Sequence, residues 1–330
     1  MNRVIIRSVG SYVPDRVLTN ADFEAMVDTT NEWIVTRTGI ELRHICLDSE
    51  VTSDLCVEAA KKAIESANIF ADDLDMIIVA TVTPDVQFPS TACIVQEKLG
   101  CVDIPCFDIG AACSGFIYAL DVARNFVANN STIKNILVVG AEKLSSIVDW
   151  EDRSTCVLFG DGAGAVVVSR ASGEGEAGVL DVLTGADGRC AKLLQCPGGG
   201  SAMPATIQSV EGRNHFIKME GREVFKEAIK RMCSAVEDIL LRNDLEIKDI
   251  ACVIPHQANM RIISAIQERL GIDDSQVFVN LQDKGNTSAA SIPIALDEAV
   301  RKDKIHSGDL VLLVAFGAGM TWGSALIRWA

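Results

Sequence analysis

Three short turns carry residue types that are capable of nucleophilic chemistry. Cys113 stands in Gly-Ala-Ala-Cys-Ser-Gly, His256 in Pro-His-Gln-Ala-Asn and Asn286 in Gly-Asn-Thr-Ser. Cys113 follows a short apolar run and precedes a helical pattern, which predicts a position at a helix N-terminus. The positive end of a helix dipole favours a thiolate, and its free N–H groups can bind a developing oxyanion. A buried structural thiol explains a cysteine in this pattern about equally well.

The other two residues also have ordinary structural explanations. His256 is one of four histidines, and a lone histidine after a strand is more often a hydrogen-bonded structural residue. Asn286 follows a glycine in a turn signal, because asparagine side chains readily bond the neighbouring backbone. The three residues become candidates for one site only if the fold brings their turns together.

Strand and helix patterns alternate along the chain, and their order in the first half recurs in the second. Predicted strands cover residues 75–82, 106–109, 136–140, 165–168, 250–254, 277–279 and 310–315. Predicted helices cover residues 52–69, 90–99, 116–127, 220–241, 261–270 and 289–300. Such alternation predicts an α/β fold whose sheets are mixed, mostly parallel and covered by helices.

The recurrence extends to the residues themselves. Residues 95–100 match residues 266–271, residues 119–121 match residues 295–297, and residues 135–140 match residues 309–314. Three matches in order at nearly constant separation indicate an internal duplication. We therefore predict an N-terminal half at residues 1–173, which carries the cysteine, and a C-terminal half at residues 174–330, which carries the histidine and the asparagine.

The duplication gives the three turns a reason to meet. The turn of Cys113 is equivalent to that of Asn286, and the turn after the strand at Val79 is equivalent to that of His256. Pseudo-symmetry brings these turns to one interface, at the strand ends where such sheets place ligands.

Composition excludes several functional classes. The 330-residue chain is 48% hydrophobic and has a net charge of −15, which argues against broad binding to nucleic acid or anionic membranes. No apolar stretch approaches the length of a membrane span. The eleven cysteines show neither CxxC nor zinc-like spacing. We expect a cytoplasmic protein without a metal site.

Taken together, the motifs resemble a known family. The turns of Cys113, His256 and Asn286, together with Phe-Gly-Ala-Gly-Met-Thr-Trp-Gly at residues 316–323, look like 3-oxoacyl-[acyl-carrier-protein] synthase III. Further matches lie at residues 33–39, 150–153 and 159–164, and the resemblance runs from residue 4 to residue 328. It implies a thiolase-like fold with two mixed sheets in a layered αβαβα arrangement.

The resemblance also implies an activity, the initiation of type II fatty-acid synthesis. Cys113 would take the acyl group of an acyl-CoA primer, and malonyl-acyl-carrier protein would then lose CO2 and attack the acyl-enzyme. His256 and Asn286 would stabilise the enolate, and the backbone N–H groups of Cys113 and Ala318 would bind the oxyanion. The family usually has glycine where this chain has Ala318. No cofactor is implied beyond the CoA thioester.

The same resemblance assigns residues to the substrates. The CoA-binding candidates are Trp33, Arg37, Arg153 and Asn259, of which Trp33 and Arg153 would sandwich the adenine ring. The acyl-pocket candidates are Phe88, which would reach into the other subunit of a homodimer, and Phe316. A separate hypothesis comes from charge spacing: Arg222, Lys226 and Lys230 recur every four residues and, with Arg261, would dock the acidic carrier protein. Segment 184–215, with weak periodicity, is predicted to be a lid or pocket wall.

Other functions fit the residues less well. A degradative thiolase uses a second cysteine near the C-terminus, but no cysteine follows Cys252. A cysteine protease would not explain the duplication or Asn286, and a non-catalytic module would not explain the convergent turns. A related ketosynthase of secondary metabolism remains the alternative, and the sequence does not fix the primer.

Overall fold

Strands and helices alternate along the computed structural model, which describes residues 2–172 and 175–330. The predicted boundary between residues 173 and 174 lies outside the described residues. The strands are β1 (Val4–Tyr12), β2 (Val17–Thr19), β3 (Leu42–His44), β4 (Met76–Ala80), β5 (Cys106–Ile109), β6 (Asn135–Glu142), β7 (Gly162–Arg170), β8 (Gly178–Ala186), β9 (Leu194–Gln195), β10 (Lys218–Met219), β11 (Cys252–Pro255), β12 (Leu310–Gly317) and β13 (Thr321–Arg328).

Ten helices are found in the described parts of the chain. They are α1 (Asn20–Met26), α2 (Asn31–Thr38), α3 (Thr52–Ser66), α4 (Thr91–Leu99), α5 (Gly115–Asn129), α6 (Ile207–Glu211), α7 (Gly221–Arg242), α8 (Met260–Leu270), α9 (Leu281–Lys284) and α10 (Ser291–Arg301). Their ends follow from local chemistry: Asn259 caps the start of α8 with its side chain, and Gly271 ends it in a left-handed conformation. Among the described residues, the helices fall short of what crossing a bilayer requires.

Two larger sheets repeat one pattern of pairing. The first has the order β1-β7-β6-β4-β5 and the second the order β8-β13-β12-β11. In each, two antiparallel pairings are followed by parallel pairing, at β6–β4 in the first sheet and β12–β11 in the second. The predicted duplication is therefore visible in the sheets.

Two predictions about the sheets are wrong. The strands are not mostly parallel, because β1, β8 and β13, which the apolar runs did not reveal, pair in antiparallel fashion. The predicted strand at residues 277–279 is reduced to a single parallel bridge between Val277 and Val253. That bridge occupies the place that β5 holds in the first sheet, beside β4.

The two sheets and three sets of helices form five layers. Alternate residues of β6 face opposite cores: Ile136 and Val138 pack with α5 and α10, whereas Leu137 and Val139 pack with α3 and α4. Alternate residues of β12 divide in the same way between the α5 and α10 layer and the α7 and α8 layer. Strands buried on both faces read as continuous apolar runs. The predicted αβαβα arrangement is confirmed.

Two glycines let the central helix layer approach the first sheet closely. A Cβ atom on Gly140 would lie 2.2 Å from the carbonyl oxygen of Ala289, and one on Gly164 would lie 2.6 Å from the backbone nitrogen of Ile294. The glycine-rich run at residues 159–164 is thus explained by close packing. This approach seats the start of α10, and the turn before it, against the ends of β6 and β7.

Candidate active site

Cys113 lies in a sharp turn between β5 and α5. A 3₁₀ turn at Ala112–Ser114 leads directly into the helix, and Ala112 has a left-handed φ of 45°. The second sheet approaches this turn closely, because a Cβ atom on Gly317 would lie 2.7 Å from the backbone nitrogen of Cys113. The thiol is buried, at the bottom of a cavity between the two halves.

One cavity brings the three candidate residues together. Its described lining consists of Cys113, Leu158, Phe159, Leu194, Met219, Gly221, Val224, Phe225, Ala228, Met232, His256, Ala258, Asn259, Ile262, Asn286, Phe316 and Gly317. Apolar side chains dominate, and Cys113, His256, Asn259 and Asn286 supply the few polar groups, as in most small-molecule sites. Leu194 is the part of segment 184–215 that reaches this cavity, which agrees with a pocket wall.

His256 follows β11 directly and is held in place on two sides. Its backbone N–H donates to the Val314 carbonyl at 2.8 Å, and its ring Nδ1 contacts the Ser291 hydroxyl at 2.6 Å. Burial lowers the pKa of His256 to about 3. The imidazole is therefore neutral near pH 7, and a neutral imidazole can donate one hydrogen bond.

Asn286 is fixed by its own turn. Its Oδ1 accepts a hydrogen bond from the Ser288 backbone N–H at 2.9 Å, while its backbone bonds Leu158 and Gly160. Since the oxygen is engaged, the amide –NH2 is the group left for a ligand in the cavity. The sequence left both a structural role in the turn and a catalytic role open for Asn286. The side chain uses only its oxygen for the turn, so its nitrogen is available for a catalytic role.

Opposing effects act on the protonation of Cys113. Burial is the main cause that raises the pKa of this thiol to about 12, the nearby Glu142 raises it as well, and a hydrogen bond with the Ser288 side chain opposes both. Burial thus favours the protonated thiol and opposes the thiolate that the helix N-terminus is expected to stabilise. Attack by sulfur requires an acceptor for its proton.

Comparisons with known proteins agree along the whole chain. A family model described as 3-oxoacyl-[acyl-carrier-protein (ACP)] synthase III matches residues 107–188, and the model of its C-terminal part matches residues 240–329. Beta-ketoacyl-[acyl-carrier-protein] synthase III of Caldanaerobacter subterraneus is 56% identical over 98% of this chain and 97% of its own. The enzyme of that name from Natranaerobius thermophilus is 53% identical over the full length of both chains.

The chain belongs to the 3-oxoacyl-[acyl-carrier-protein] synthase III family. The crystal structure of such a synthase from Aquifex aeolicus has a TM-score of 0.91 and 48% identity, and the match covers 99% of this chain and 100% of that one. A synthase III structure from Thermus thermophilus has a TM-score of 0.90 and 45% identity over 98% and 99% of the two chains. The predicted family and its thiolase-like fold are confirmed.

The turn that carries Ala318, one of the two predicted oxyanion donors, accommodates an alanine at this position. Positive φ falls on Gly319, at 124°, and Ala318 is not among the described residues with left-handed backbone. The Ala318 carbonyl accepts a hydrogen bond from Thr321 Oγ1 at 3.0 Å. Its methyl group therefore meets no backbone penalty, and its N–H remains a predicted donor.

The two residues predicted to sandwich adenine already touch each other. The guanidinium of Arg153 lies 5.5 Å from the centre of the Trp33 ring and also donates to the Asp28 carbonyl at 2.6 Å. An adenine ring could enter only if Arg153 swung outward, which its exposed side chain allows. The structure thus places the two residues together, with the guanidinium directly against the indole, and their role in binding adenine remains a prediction.

Asn259 and Arg37 meet through the asparagine side chain. Asn259 Oδ1 caps α8 by accepting from the Arg261 N–H at 2.9 Å, and its Nδ2 donates to the Arg37 carbonyl at 3.1 Å. Both ends of this amide therefore hold α8 against the end of α2, beside the cavity. A role in binding CoA remains a prediction for both residues.

The acyl-pocket candidates fall in two places. Phe316 lines the cavity, whereas Phe88 does not and is 85% exposed. The role of Phe88 in the acyl pocket of a second subunit therefore remains a prediction.

The predicted docking residues form one exposed patch near the cavity. Arg222, Lys226 and Lys230 are exposed on α7, and Arg261 at the start of α8 lies over the ring of Phe225, 5.5 Å from its centre. Phe225 also lines the cavity, so the patch is adjacent to its mouth. Glu223 pairs with Lys226 at 2.8 Å and offsets part of the positive charge.

Sequence analysis missed three residues that support the site. Ser291 contacts the His256 ring, the Ser288 N–H donates to Asn286 Oδ1, and Glu142 accepts a hydrogen bond from the Ser288 hydroxyl. Glu142 lies two residues after the predicted strand 136–140, at the kind of strand end where ligands bind, so its position was a usable signal. Within the described ranges, no cluster of His, Cys, Asp or Glu could hold a metal ion.

Proposed function

We propose that this protein catalyses the decarboxylative condensation of an acyl-CoA primer with malonyl-acyl-carrier protein. The products are a 3-oxoacyl-carrier protein, CoA and CO2, and the reaction initiates type II fatty-acid synthesis. The observation that carries the proposal is the convergence of Cys113, His256 and Asn286 on one apolar cavity. Membership of a family of acyltransferases supports it.

In the first half-reaction Cys113 sulfur attacks the thioester carbonyl of the primer. The tetrahedral oxyanion lies against the N–H groups of Cys113 and Ala318, and CoA leaves as the acyl group remains on sulfur. A cysteine suits this step because the acyl-enzyme is again a thioester, with an electrophilic carbonyl and a good leaving group. The apolar walls of the cavity keep water from the acyl-enzyme.

In the second half-reaction the malonyl group loses CO2 beside His256 and Asn286. Both side chains are hydrogen-bond donors in their neutral states, and negative charge develops on the malonyl thioester oxygen between them. Donors aimed at developing charge commonly contribute a factor of about 10²–10³ each. The enolate carbon then attacks the acyl-Cys113 carbonyl, and sulfur leaves. Neither half-reaction requires a cofactor.

The substrates enter from the face that carries the basic patch. CoA is assigned to Trp33, Arg37, Arg153 and Asn259, and the carrier protein to Arg222, Lys226, Lys230 and Arg261. The positive patch stands out on a chain with a net charge of −15, which favours an acidic partner at this place over others. The free state of the eleven cysteines accords with a cytosolic protein.

The assembly is assigned as a homodimer. Strand β5 pairs only with β4 among the described strands, so one edge of the first sheet is unpaired. Val82, Val86 and Phe88, which follow β4, are exposed apolar side chains. A second copy that covers this region would bury both the strand edge and the exposed phenylalanine.

Labelling of the enzyme tests the proposed function. Wild-type protein is incubated with radiolabelled acetyl-CoA and with a panel of branched and medium-chain primers, and the labelled peptide is identified by mass spectrometry. We expect label on Cys113 and none in Cys113→Ala. The acyl-enzyme should then yield a 3-oxoacyl-carrier protein when malonyl-acyl-carrier protein is added. Persistent absence of label with every primer would contradict the proposal.

A further inference from the structure

Glu142 is a buried carboxylate that the mechanism above does not use. It ends β6 and has no exposed surface. Its Oε2 accepts hydrogen bonds from Thr83 Oγ1 at 2.7 Å, from the Val82 N–H at 3.1 Å and from Thr81 Oγ1 at 3.2 Å, all on the turn after β4. Its Oε1 accepts one from Ser288 Oγ at 3.1 Å, in the other half of the chain. The carboxylate thus joins the two halves.

The contacts of Glu142 in the first half require an acceptor. Thr83 Oγ1 accepts from the Lys143 N–H at 2.9 Å, so its own proton is left for Glu142. Thr81 Oγ1 likewise accepts from the Thr83 N–H at 3.1 Å and has its proton left for the carboxylate. A carboxylate can accept from all of these groups and from Ser288 as well. An amide, with a single acceptor oxygen, cannot accept at both of its ends.

The contact of Glu142 in the second half fixes the turn of Asn286. Ser288 is buried and has a left-handed φ of 49°, a conformation that is disfavoured outside glycine and persists only where its surroundings hold it. Glu142 holds the hydroxyl of Ser288, and the Ser288 N–H donates to Asn286 Oδ1 at 2.9 Å. Because this bond occupies the oxygen of Asn286, it leaves the –NH2 group for the cavity.

A separate set of contacts supports the turn of Cys113. Thr321 Oγ1 lies 2.6 Å from Ser114 Oγ and 3.0 Å from the carbonyl oxygen of Ala111. The same hydroxyl lies 3.0 Å from the carbonyl oxygen of Ala318. Thr321 thus ties the turn of the nucleophile to the turn of the second predicted oxyanion donor. The groups proposed for acylation and the amide proposed for condensation are therefore supported by different side chains.

We propose that Glu142 is a positioning residue for condensation, which holds the Asn286 amide, through Ser288, in the orientation that binds the enolate oxygen. The inference rests on the proposed function for the half-reaction that Asn286 serves. Glu142 acts through its hydrogen bonds alone and takes no part in making or breaking bonds of the substrates.

Charge and position predict opposite effects on condensation. A negative charge repels a developing enolate, so removal of the Glu142 charge alone would speed condensation. If Glu142 holds Asn286 in place, the same substitution slows condensation. Ser288→Ala separates the two effects further, because it keeps the carboxylate and the N–H donor to Asn286 but removes the hydroxyl that links them.

Two single-turnover measurements follow the half-reactions separately. CoA release from acetyl-CoA gives the rate of acylation, and mixing of preformed acetyl-enzyme with malonyl-acyl-carrier protein gives the rate of condensation. The variants are Glu142→Gln, Ser288→Ala and the two combined. Asp297→Asn is the matched control, because Asp297 is another buried carboxylate that joins the halves, through Ser11 Oγ, but lies outside the described cavity lining. Thermal melts confirm that each variant is folded.

We expect condensation to fall by about tenfold or more in both single variants, up to the factor of about 10²–10³ for loss of a donor, with acylation within about twofold of the wild type. The combined variant should be no slower than the slower single one, because both substitutions break the same link. Thr321→Val should instead slow acylation, and Asp297→Asn should match the wild type.

Three results would overturn the proposal. The first is a condensation rate that is unchanged or faster in Glu142→Gln, and the second is an unchanged rate in Ser288→Ala. The third is an equal fall of acylation and condensation in these variants, which would indicate a general role in packing.

Hydrogen exchange keeps this inference apart from the proposed function, because it uses no substrate. The peptide of residues 281–290 contains the Ser288 N–H that bonds Asn286. It should exchange faster in Glu142→Gln and Ser288→Ala than in the wild type and Asp297→Asn, and equal exchange would overturn the link. If exchange follows this pattern but no primer acylates the wild type, the link to Asn286 stands and the proposed function fails. If both half-reactions proceed equally in all proteins, the proposed function stands and the positioning role fails.

Discussion

Ala112 and Ser288 occupy equivalent positions in the two halves, and both have left-handed backbones, with φ of 45° and 49°. They are 176 residues apart, the separation that also relates the matching residues Ala119 and Ala295. Each residue other than glycine in this conformation costs about 1–2 kcal/mol. The duplication has thus placed one strained turn on either side of the site. One turn presents Cys113, and the other holds Asn286 through the Ser288 N–H.

The close approach of Gly317 to Cys113 gives the first prediction. A Cβ atom on Gly317 would lie 2.7 Å from the Cys113 nitrogen and 3.1 Å from the Ser114 nitrogen. Gly317→Ala must push the two halves apart, and we expect the free energy of unfolding to fall by about 1–3 kcal/mol, with slower acylation. Urea unfolding and single-turnover CoA release measure these effects. Gly110→Ala is the control, because a Cβ atom there meets nothing within 4 Å; equal behaviour of both variants would contradict the packing argument.

The Asn286→Asp variant separates the structural role of Asn286 in its turn from its proposed catalytic role. The aspartate keeps the acceptor for the Ser288 N–H but loses the –NH2 donor that faces the cavity. We expect Cys113 still to be acylated, while condensation with malonyl-acyl-carrier protein falls by about 10²–10³. If this variant no longer released CoA from acyl-CoA, Asn286 would instead be required for the first half-reaction. Thermal melting should remain close to that of the wild type, which excludes collapse of the turn.

Particular residues show how far sequence reasoning reached. Strand β5 was predicted with its observed ends, and Gly100 ends α4 in a left-handed conformation as its position after the helix indicated. Strand β13 was missed because Gly323 and Ser324 interrupt its apolar pattern. Those small residues face Ile117 and Ala235 of packed helices, and such contacts exist only in the folded chain.

Some features of the candidate site could be predicted from the sequence, and others could not. Cys113, His256 and Asn286 follow from strand ends and from the duplication, which are properties of the sequence. The protonation of Cys113 does not, because its raised pKa is chiefly a consequence of burial at the contact between the halves. The pairing of Arg153 with Trp33 followed from the family resemblance, but their direct contact did not, since only the folded chain shows the guanidinium lying against the indole.

Burial of neutral His256 makes the stability of the protein sensitive to acid. The folded-state pKa, about 3, lies below the unfolded value of about 6.5, so the unfolded chain binds the proton more tightly. The stabilising contribution is present above pH 6.5 and is lost as the pH falls toward 3. Between pH 7.5 and pH 5 the wild type should lose about 2 kcal/mol relative to His256→Asn. Urea unfolding at both values checks this, with the exposed His306→Asn as control; a difference that does not change with pH would be contrary to it.

Charge reversal on α7 tests the docking patch. Lys226→Glu should raise KM for malonyl-acyl-carrier protein by about tenfold at low salt, less at high salt, and leave acylation by acyl-CoA unchanged. Lys61→Glu is a matched control, because Lys61 pairs with Glu58 at 2.8 Å just as Lys226 pairs with Glu223 at 2.8 Å, also three residues apart. Loss of both half-reactions in Lys226→Glu would indicate a folding defect, and an unchanged KM would place the carrier elsewhere.

Phe88 provides the test of the assembly. It is 85% exposed in one chain and lies outside that chain's own cavity, so the proposed homodimer would change its environment. Phe88→Asp would bury a carboxylate in an apolar contact, which costs several kcal/mol unless the subunits separate. We expect the wild type to have twice the chain mass in light scattering and Phe88→Asp to shift toward the monomer. Phe70→Asp, at an equally prominent phenylalanine that is 80% exposed, should remain dimeric. If Phe88→Asp stayed dimeric with unchanged preference among primers, the assignment of Phe88 to the partner's acyl pocket would be wrong.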